Sequence, residues 1–150
     1  MTIPNLPSFV DIHQNVLNAL DSGTPIVALE STIITHGMPF PDNAEMASSV
    51  EALIYDYGVV PATIAVIDGR IKIGLTPDEL MQLAKVKNAL KISRADMAFA
   101  ISQGKTAGTT VAATMIIARM VGIRIFATGG IGGVHKGAET TFDISADLTE

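Results

Sequence analysis

Apolar positions along the chain follow two periods, one helical and one extended. The helical period predicts a first helix over residues 9–21, with Ser8 as its cap and Gly23 beyond its end. It predicts a second helix that starts within residues 39–43 and stops at Gly58, because large apolar side chains recur three and four positions apart. Each of these helices is therefore expected to pack one apolar face on a core.

The extended period predicts a buried strand at residues 25–29 and a hairpin in which Asp68-Gly69 joins two β-rich runs. A further helix is expected after Thr76, since Thr-Pro-Asp-Glu is typical of a capping box. The remaining predicted elements are strands at residues 90–93 and 123–127 and helices at about 95–102 and 109–121. Strands that alternate with helices, together with the hairpin, predict an α/β fold with a mixed sheet.

Composition narrows the class of protein. The chain has 150 residues, which suggests one domain, and it is 48% hydrophobic and 17% charged, which suffices for a sizeable core. A net charge of −5 argues against nucleic acid or an anionic membrane as a partner. The lack of cysteine excludes disulfides, thiolate metal sites and a cysteine nucleophile. With no signal-peptide pattern and no apolar run long enough for a bilayer, we expect a cytoplasmic protein.

Residues 126–147 carry the densest group of candidate chemistry. A strand leads into the Gly-Gly-x-Gly-Gly run at 129–133, and α/β proteins usually bind ligands at such a strand end. Asp143, Ser145 and Asp147 alternate, which on an extended segment would place them on one face. Carboxylates and a hydroxyl suit a hard cation and a phosphorylated, hydroxylated ligand. Tight turns and solvated acidic residues would give the same pattern, so both interpretations stay open here.

Glu30 ends an apolar strand, and burial of a carboxyl group raises its pKa and suits it to general acid catalysis. Local capping or an ion pair with a lysine is the alternative. The Gly-Lys-Thr at 104–106 is not a P-loop, because Phe99 stands where a glycine is required. The small, hydroxyl-rich helix start that follows could bind a phosphate, or Thr106 or Thr109 could simply cap the helix.

One lysine and the three histidines are the remaining candidates for the site. Lys91 alone would be a surface charge, and only the possible phosphate site nearby makes it a candidate. The three histidines have no metal-ligand spacing: His13 is expected on the surface of the first helix, whereas His36 and His135 lie in loops and are candidates for substrate contact.

Four stretches taken together resemble one known family. They are residues 28–41 (Ala-Leu-Glu-Ser-Thr-Ile-Ile-Thr-His-Gly-Met-Pro-Phe-Pro), 60–65 (Val-Pro-Ala-Thr-Ile-Ala), 108–115 (Gly-Thr-Thr-Val-Ala-Ala-Thr-Met) and 126–147. The chain is identified on these motifs as a member of the pseudouridine-5′-phosphate glycosidase family, also called indigoidine-synthase-A-like. The resemblance runs from about Thr24 to Leu148.

The resemblance implies reversible cleavage of the C–C glycosidic bond of pseudouridine 5′-phosphate to uracil and ribose 5-phosphate, a step of nucleotide catabolism. It also implies a divalent metal, typically manganese, and a homotrimer. The implied fold is a mixed sheet between two helical layers, of which this chain would be the amino-terminal half of a larger single domain. Small molecules are the implied partners, with no nucleic acid and no membrane.

The resemblance also assigns roles to residues. It implies that Glu30 is the proton donor and that Asp143 binds the metal. The implied sugar-phosphate contacts are Lys91, Val111 through its backbone, Thr128, His135, Ser145, Ala146 and Asp147.

One member of the family's site is missing from this sequence. In the family, a lysine downstream of the Ser-Ala-Asp run opens the ribose ring as an imine, because a C–C bond has no basic leaving oxygen for ordinary glycoside hydrolysis. The chain stops at Glu150, before that lysine, and nothing in the sequence assigns Lys105 or Lys136 to its place. We therefore expect little activity from this chain alone. A non-catalytic fragment that binds sugar phosphate or metal, and a half-enzyme that needs a partner chain, are the alternatives.

Overall fold

The computed structural model describes residues 6–150. The strands of this part are β1 (Val10–Ile12), β2 (Ile26–Leu29), β3 (Val60–Ile67), β4 (Arg70–Ile73), β5 (Leu90–Ile92), β6 (Ala107–Thr109) and β7 (Phe126–Ala127). The α-helices are α1 (Gln14–Ser22), α2 (Asp42–Asp56), α3 (Pro77–Lys85), α4 (Arg94–Ser102), α5 (Val111–Met120) and α6 (Ala138–Thr141). A π-helical turn, Ile33–Gly37, follows β2, and a 3₁₀ turn, Ala146–Thr149, ends the chain.

Strand β3 lies within the sheet and pairs with three other strands, β2, β4 and β6. Its first edge pairs antiparallel with β4 through the predicted hairpin, in which Asp68 and Gly69 have φ of 49° and 74°, as a tight turn requires. Strand β1 extends this side by pairing parallel with β4.

The other edge of β3 is shared by two strands that run in opposite directions. Strand β2 pairs parallel with the first half of β3, where Leu29 is opposite Thr63. Strand β6 pairs antiparallel with the second half, where Gly108 is opposite Ala65. The carboxyl ends of β2 and β6 therefore meet beside the middle of β3. Strand β7 is parallel to β2 and β5 is parallel to β6, so the carboxyl ends of four strands converge on this gap.

Helices cover both faces of the sheet. Ile64 and Val66 of β3 point into a core formed with α1, α4 and α5, whereas Ala65 and Ile67 point into a core formed with α2, α3 and the π-helical turn. This arrangement confirms the predicted α/β fold, a mixed sheet sandwiched between helices. Between residues 6 and 150, no helix has both the length and the apolar composition needed to cross a membrane.

The prediction of one helix over residues 9–21 was wrong at its start. Val10–Ile12 form β1, and α1 is capped by His13, whose Nδ1 accepts a hydrogen bond from the N–H of Asn15 at 3.2 Å. Ser8 is therefore not the cap, and His13 is not a mid-helix surface residue. A three-residue strand has no usable period, and β1 exists because it pairs with β4, which lies some 60 residues away in sequence.

The start of the apolar helix also differs from the prediction. Residues 107–109 form β6, and α5 begins at Val111, capped by Thr110, whose hydroxyl accepts from the N–H of Ala113 at 3.4 Å. Neither Thr106 nor Thr109 caps it. By contrast, the capping box at Thr76 is confirmed, because the hydroxyl of Thr76 and the carboxylate of Glu79 each accept from the other residue's N–H.

Candidate active site

Glu30 follows the last residue of β2 and lies at the gap where the strand ends converge. Burial raises the pKa of its carboxyl group. The nearby N–H groups of Ile33 and Thr32 and the hydroxyl of Thr128, which lies 3.4 Å from Oε1, oppose this shift, whereas the nearby charge of Asp147 adds to it. The balance favours a protonated carboxyl group at a higher pH than usual, which is the property that a general acid needs.

Thr128 is the first residue after β7, the strand next to β2. Its Oγ1 lies 3.4 Å from Glu30 Oε1 and 2.9 Å from the carbonyl oxygen of Gly130. It also accepts a hydrogen bond from the N–H of Gly130 at 3.2 Å. Thr128 therefore joins the proton-donor candidate to the start of the glycine loop, and the two site residues that the sequence separates by almost 100 positions are neighbours.

An apolar cavity opens beside these two residues. Its volume is about 270 Å³, and it lies between β2, β7 and α2. Besides Glu30 and Thr128, its walls include Leu29, Ile33, Met46 and Val50. Because the surroundings are apolar, the carboxyl group of Glu30 borders a space with few groups that could stabilise its charge.

Asp147 ties the glycine loop to the start of α5. Its Oδ1 accepts from the N–H of Ala112 at 2.9 Å, and its Oδ2 accepts from the N–H of Gly132 at 2.8 Å. The hydroxyl of Ser145 in turn accepts from the N–H of Asp147 at 3.2 Å. A carboxylate at the amino end of a helix is favoured by the exposed N–H groups and the helix dipole. Both carboxylate oxygens are thus engaged by the protein's own backbone.

Gly132 is required by this contact. A Cβ at this position would lie 2.2 Å from Ser145 Oγ and 2.9 Å from Asp147 Oδ2, which no side chain tolerates. Left-handed φ is not the reason, because none of the four glycines at 129, 130, 132 and 133 has positive φ. At Gly132 the close approach of the 3₁₀ turn, and not the backbone angle, requires glycine.

The expectation that Asp143, Ser145 and Asp147 lie along one extended segment was wrong at its end, because Asp147 lies within the 3₁₀ turn. The side chain of Asp147 turns toward α5, where it accepts from the N–H of Ala112, and Asp143 lies beside His135. Period-two alternation does not continue into a 3₁₀ turn.

Asp143 and His135 form an exposed pair. Asp143 Oδ2 lies 3.8 Å from His135 Nδ1, and the N–H of His135 donates to the carbonyl oxygen of Asp143 at 3.1 Å. Across residues 6–150 there is no cluster of three or more His, Asp or Glu that could hold a metal. One accessible carboxylate nevertheless fits an ion such as Mg²⁺ or Mn²⁺, which keeps several waters and takes further oxygens from a ligand.

The other predicted contacts lie at the start of α5, on β5 and on the 3₁₀ turn. Val111 starts α5, and within the described residues no acceptor receives its N–H. Lys91 is exposed on β5, opposite Gly108 of β6. Ala146 begins the 3₁₀ turn that carries Asp147. No hydrogen bond or ion pair joins the side chain of Lys91 to Glu30, Asp143 or Asp147 among the described residues.

The hydrogen bonds that join β2 to β6 were not predicted from the sequence. Thr109 was predicted only as a possible cap, and Ser31 and Thr32 entered only as part of the motif at residues 28–41. The N–H of Thr109 donates to Ser31 Oγ at 2.9 Å, and Thr32 Oγ1 donates to the carbonyl oxygen of Thr109 at 2.8 Å. The signal that could have pointed to this contact is the pair of adjacent hydroxyl residues in each segment, Ser31-Thr32 and Thr109-Thr110.

The fold and this site define an α/β protein with a half-buried acid beside a helix start suited to an anion. The chain belongs to the family described as indigoidine synthase A like protein, which it matches over residues 15–150. It is 74% identical over 146 residues to a protein of Dinoroseobacter shibae named pseudouridine-5′-phosphate glycosidase, an alignment that covers 97% of this chain and 48% of the relative.

Two solved structures have the same fold. The prealnumycin C-glycosynthase in complex with ribulose 5-phosphate superposes with a TM-score of 0.84 at 39% identity, covering 95% of this chain and 46% of that one. An indigoidine-synthase-A-like protein from Thermotoga maritima superposes with a TM-score of 0.83 at 31% identity, covering 99% and 48%. The chain thus spans about half the length of the relatives it matches.

Proposed function

We propose that this chain supplies the proton-donating and sugar-phosphate-binding part of a pseudouridine-5′-phosphate glycosidase. The observation that carries the proposal is the position of Glu30: a carboxyl group with a raised pKa lies at the same gap as the amino end of α5. The 74% identity to a relative of that name supports the same substrate.

Cleavage of a C–C glycosidic bond leaves an electron pair on a carbon of the base, and that carbon must receive a proton. Glu30 is the proposed donor, and in the reverse direction its carboxylate would remove the proton. The raised pKa of Glu30 keeps the proton on the carboxyl group to a higher pH than usual, and the apolar cavity beside it would keep water from competing for the proton.

The sugar phosphate is proposed to bind at the start of α5. The unpaired N–H of Val111 and the dipole of α5 favour an anion there. Lys91 would contribute charge, and the hydroxyl groups of Ser145 and Thr128 would bind hydroxyls or phosphate oxygens. A homologue of this fold was solved with ribulose 5-phosphate, a ligand of the same class. Asp147 would act mainly by holding the loop on α5, since both of its carboxylate oxygens already accept backbone hydrogen bonds.

Manganese is the proposed metal, and Asp143 its protein ligand, with His135 beside it. When bound, the ion would offset the negative charge of the phosphate. We also carry over from the family resemblance a cytoplasmic homotrimer and a ring-opening lysine that this chain does not contain.

A chimera tests the proposal. The chain would replace the corresponding part of the Dinoroseobacter shibae relative, and uracil release from pseudouridine 5′-phosphate with manganese would be followed. We expect turnover from the chimera and little or none from the 150-residue chain alone. Glu30→Gln in the chimera should lower the rate by about 10²–10⁴-fold, the usual contribution of general acid catalysis. A folded chimera without turnover would contradict the proposal, and so would an unchanged rate in the Glu30→Gln variant.

A further inference from the structure

The carboxyl ends of β2 and β6, which do not pair with each other as strands, are joined by hydrogen bonds that involve hydroxyl groups. Besides the two contacts between Thr109 and the pair Ser31 and Thr32 at 2.9 and 2.8 Å, the N–H of Ser31 donates to the carbonyl oxygen of Thr109 at 3.3 Å. We call the set of Ser31, Thr32, Thr109 and Thr114 the hydroxyl clasp. It holds the carboxyl end of β2 against the carboxyl end of β6.

Three of the four residues of the clasp are fully buried. Ser31, Thr109 and Thr114 are each 0% exposed. Thr109 Oγ1 donates to the carbonyl oxygen of Ile64 at 2.7 Å and accepts from Thr114 Oγ1 at 2.9 Å. Buried hydroxyls destabilise a core unless every one is paired, and apolar residues of similar shape would fill the same space. Packing alone therefore does not explain why three hydroxyl residues lie here.

Each side of the clasp carries one part of the candidate site. On the β2 side, Ser31 directly follows Glu30, whose Oε1 lies 3.4 Å from Thr128 Oγ1, so the position of Ser31 sets where the carboxyl group lies. On the β6 side, Thr109 is followed by the cap of α5 and by Val111. The clasp thus lies between the proton donor and the proposed phosphate-binding helix start.

The approach of the two segments is closer than any side chain would allow. A Cβ at Gly108, the residue before Thr109, would lie 2.2 Å from Thr35 Oγ1 and 3.0 Å from the carbonyl oxygen of Ser31. Thr35 belongs to the π-helical turn that follows Glu30, and such turns are frequent at functional sites. A glycine and the hydroxyl clasp together keep this turn on β6.

We propose that Ser31 and Thr109 are positioning residues for the reaction, because the clasp fixes the carboxyl group of Glu30 relative to the first turn of α5. The proposal rests on the proposed function for what Glu30 does chemically. The position in which the clasp holds Glu30 does not depend on the proposed function, and it can be measured on this chain alone.

The test follows the Glu30 carboxyl group itself, in this chain labelled with ¹³C-glutamate, with the signal assigned by Glu30→Gln. Ser31→Ala removes the acceptor of the Thr109 N–H, and Thr109→Val removes the 3.3 Å contact between Ser31 Oγ and Thr109 Oγ1, so the Glu30 carboxyl group should shift away from Thr128 Oγ1. Because the hydrogen bond from Thr128 favours the charged form, the measured pKa of Glu30 should rise above that of the unchanged chain. Thr109→Val covers the case in which Ser31→Ala does not fold.

Two further variants separate positioning from general loss of stability. Thr109→Ser keeps the hydroxyl group and should titrate like the unchanged chain. Ile117→Val removes one methyl group from the fully buried face of α5, outside the clasp, and should also leave the titration of Glu30 unchanged. A wild-type titration in both Ser31→Ala and Thr109→Val would overturn the proposal, and so would an equal rise in Ile117→Val.

The same variants placed in the chimera give a second readout. We expect kcat to fall by about tenfold in Thr109→Val, with a smaller change in KM, since a misplaced acid affects the transition state more than substrate binding. Equal changes of KM in Thr109→Val and Ile117→Val, without a fall in kcat, would contradict the positioning role. If the unchanged chimera releases no uracil, the proposed function fails, while the titration still decides whether the clasp positions Glu30.

Discussion

Glu51 is a second carboxyl group that burial holds toward its protonated form. It lies on α2 and accepts a hydrogen bond from Thr63 Oγ1 at 2.5 Å. Burial raises its pKa, against the hydrogen bond from Thr63 and the charge of His13, which lower it. The folded protein therefore binds more protons than the unfolded chain at pH values between the ordinary value of 4.5 and the raised one.

This difference in bound protons determines how the stability of the fold changes with pH. The contribution of Glu51 to stability is fully present below the unfolded pKa and is lost as the pH rises through the folded pKa. Glu51→Gln removes this loss and keeps an oxygen that accepts from Thr63. Its stability relative to the unchanged chain should therefore rise as the pH increases above the ordinary value of 4.5 in urea unfolding experiments.

Glu45→Gln, which changes an exposed carboxyl group on the same helix, serves as the control and should show no such rise. A relative stability of Glu51→Gln that falls toward neutral pH would mean that the charged form of Glu51 stabilises the fold.

Gly132 lies in close contact with Ser145 of the neighbouring segment. Gly132→Ala places a Cβ 2.2 Å from Ser145 Oγ, so the loop or the 3₁₀ turn must shift and the two hydrogen bonds of Asp147 must weaken. We expect a loss of about 1–3 kcal/mol in the free energy of unfolding. Faster amide hydrogen exchange at Ala112 would report the loss of its bond to Asp147.

Gly133→Ala is the matched control, because a Cβ there meets no atom within 4 Å and the backbone is not left-handed. Its stability should stay within about 0.5 kcal/mol of the unchanged chain. Similar losses for Gly132→Ala and Gly133→Ala would show that the loop does not depend on the close contact.

At the scale of elements, β1 is held at the sheet edge by an ion-pair network. Asp11 accepts two hydrogen bonds from Arg70, each of 2.6 Å, and lies 3.0 Å from Lys72, which also pairs with Glu79. The hydrogen bonds from Arg70 lead the causes that hold the pKa of Asp11 well below its ordinary value of 3.8. The stability from this lowered pKa is present above the unfolded value and is lost as the pH falls toward the folded one.

Asp11→Asn should therefore destabilise the protein at neutral pH, by less than about 1 kcal/mol, because Arg70 is 46% exposed and solvent screens the pair. The loss should shrink in high salt, as measured by urea unfolding at two ionic strengths. Asp21→Asn on α1, which removes an exposed carboxylate, should not destabilise the protein. A loss at neutral pH that salt does not change would mean that β1 depends on backbone pairing rather than on the charges.

The elements that the sequence predicted well are those with local signals. The Asp68-Gly69 hairpin and the capping box at Thr76 depend on residues within four positions of each other, and both are confirmed. Strands β1 and β6 were missed because each has three residues and exists only through partners far away in sequence. Local propensity carries no information about such pairing.

In the candidate site, too, some residues were predicted from the sequence and some contacts were not. Glu30 and Thr128 were predicted as site residues, and they are in contact. The role of Asp147 in holding the loop was not predictable, because it depends on a 3₁₀ turn and on the amino end of α5. The hydroxyl clasp depends on two strands that end against each other beside β3, which only the folded chain reveals.

At the scale of the whole molecule, the side that carries β7 and the glycine loop exposes large apolar side chains. Phe142 is 82% exposed, Val134 66%, Ile131 65% and Ile125 60%, and β7 has only two residues at the sheet edge. Exposed apolar side chains near a strand at the sheet edge promote association.

We therefore expect this chain to bind a dye that reports apolar surface and to self-associate at high concentration in light scattering. Phe142→Asn should reduce both without loss of stability, because asparagine tolerates the left-handed conformation at that position, with φ of 56°. A strictly monomeric chain that binds no dye would contradict this prediction. The chain covers about half the length of its relatives, and the chimera should lose this apolar surface if the rest of the relative packs there.

Calorimetry can decide whether this chain contains a sugar-phosphate site beside Glu30. Ribose 5-phosphate would be titrated into the purified chain with manganese, with ribose as the control. We expect saturable binding of ribose 5-phosphate with a Kd of about 1 mM or tighter, and none of ribose, because the phosphate is held at the start of α5. No binding of ribose 5-phosphate, or equal binding of ribose, would contradict it.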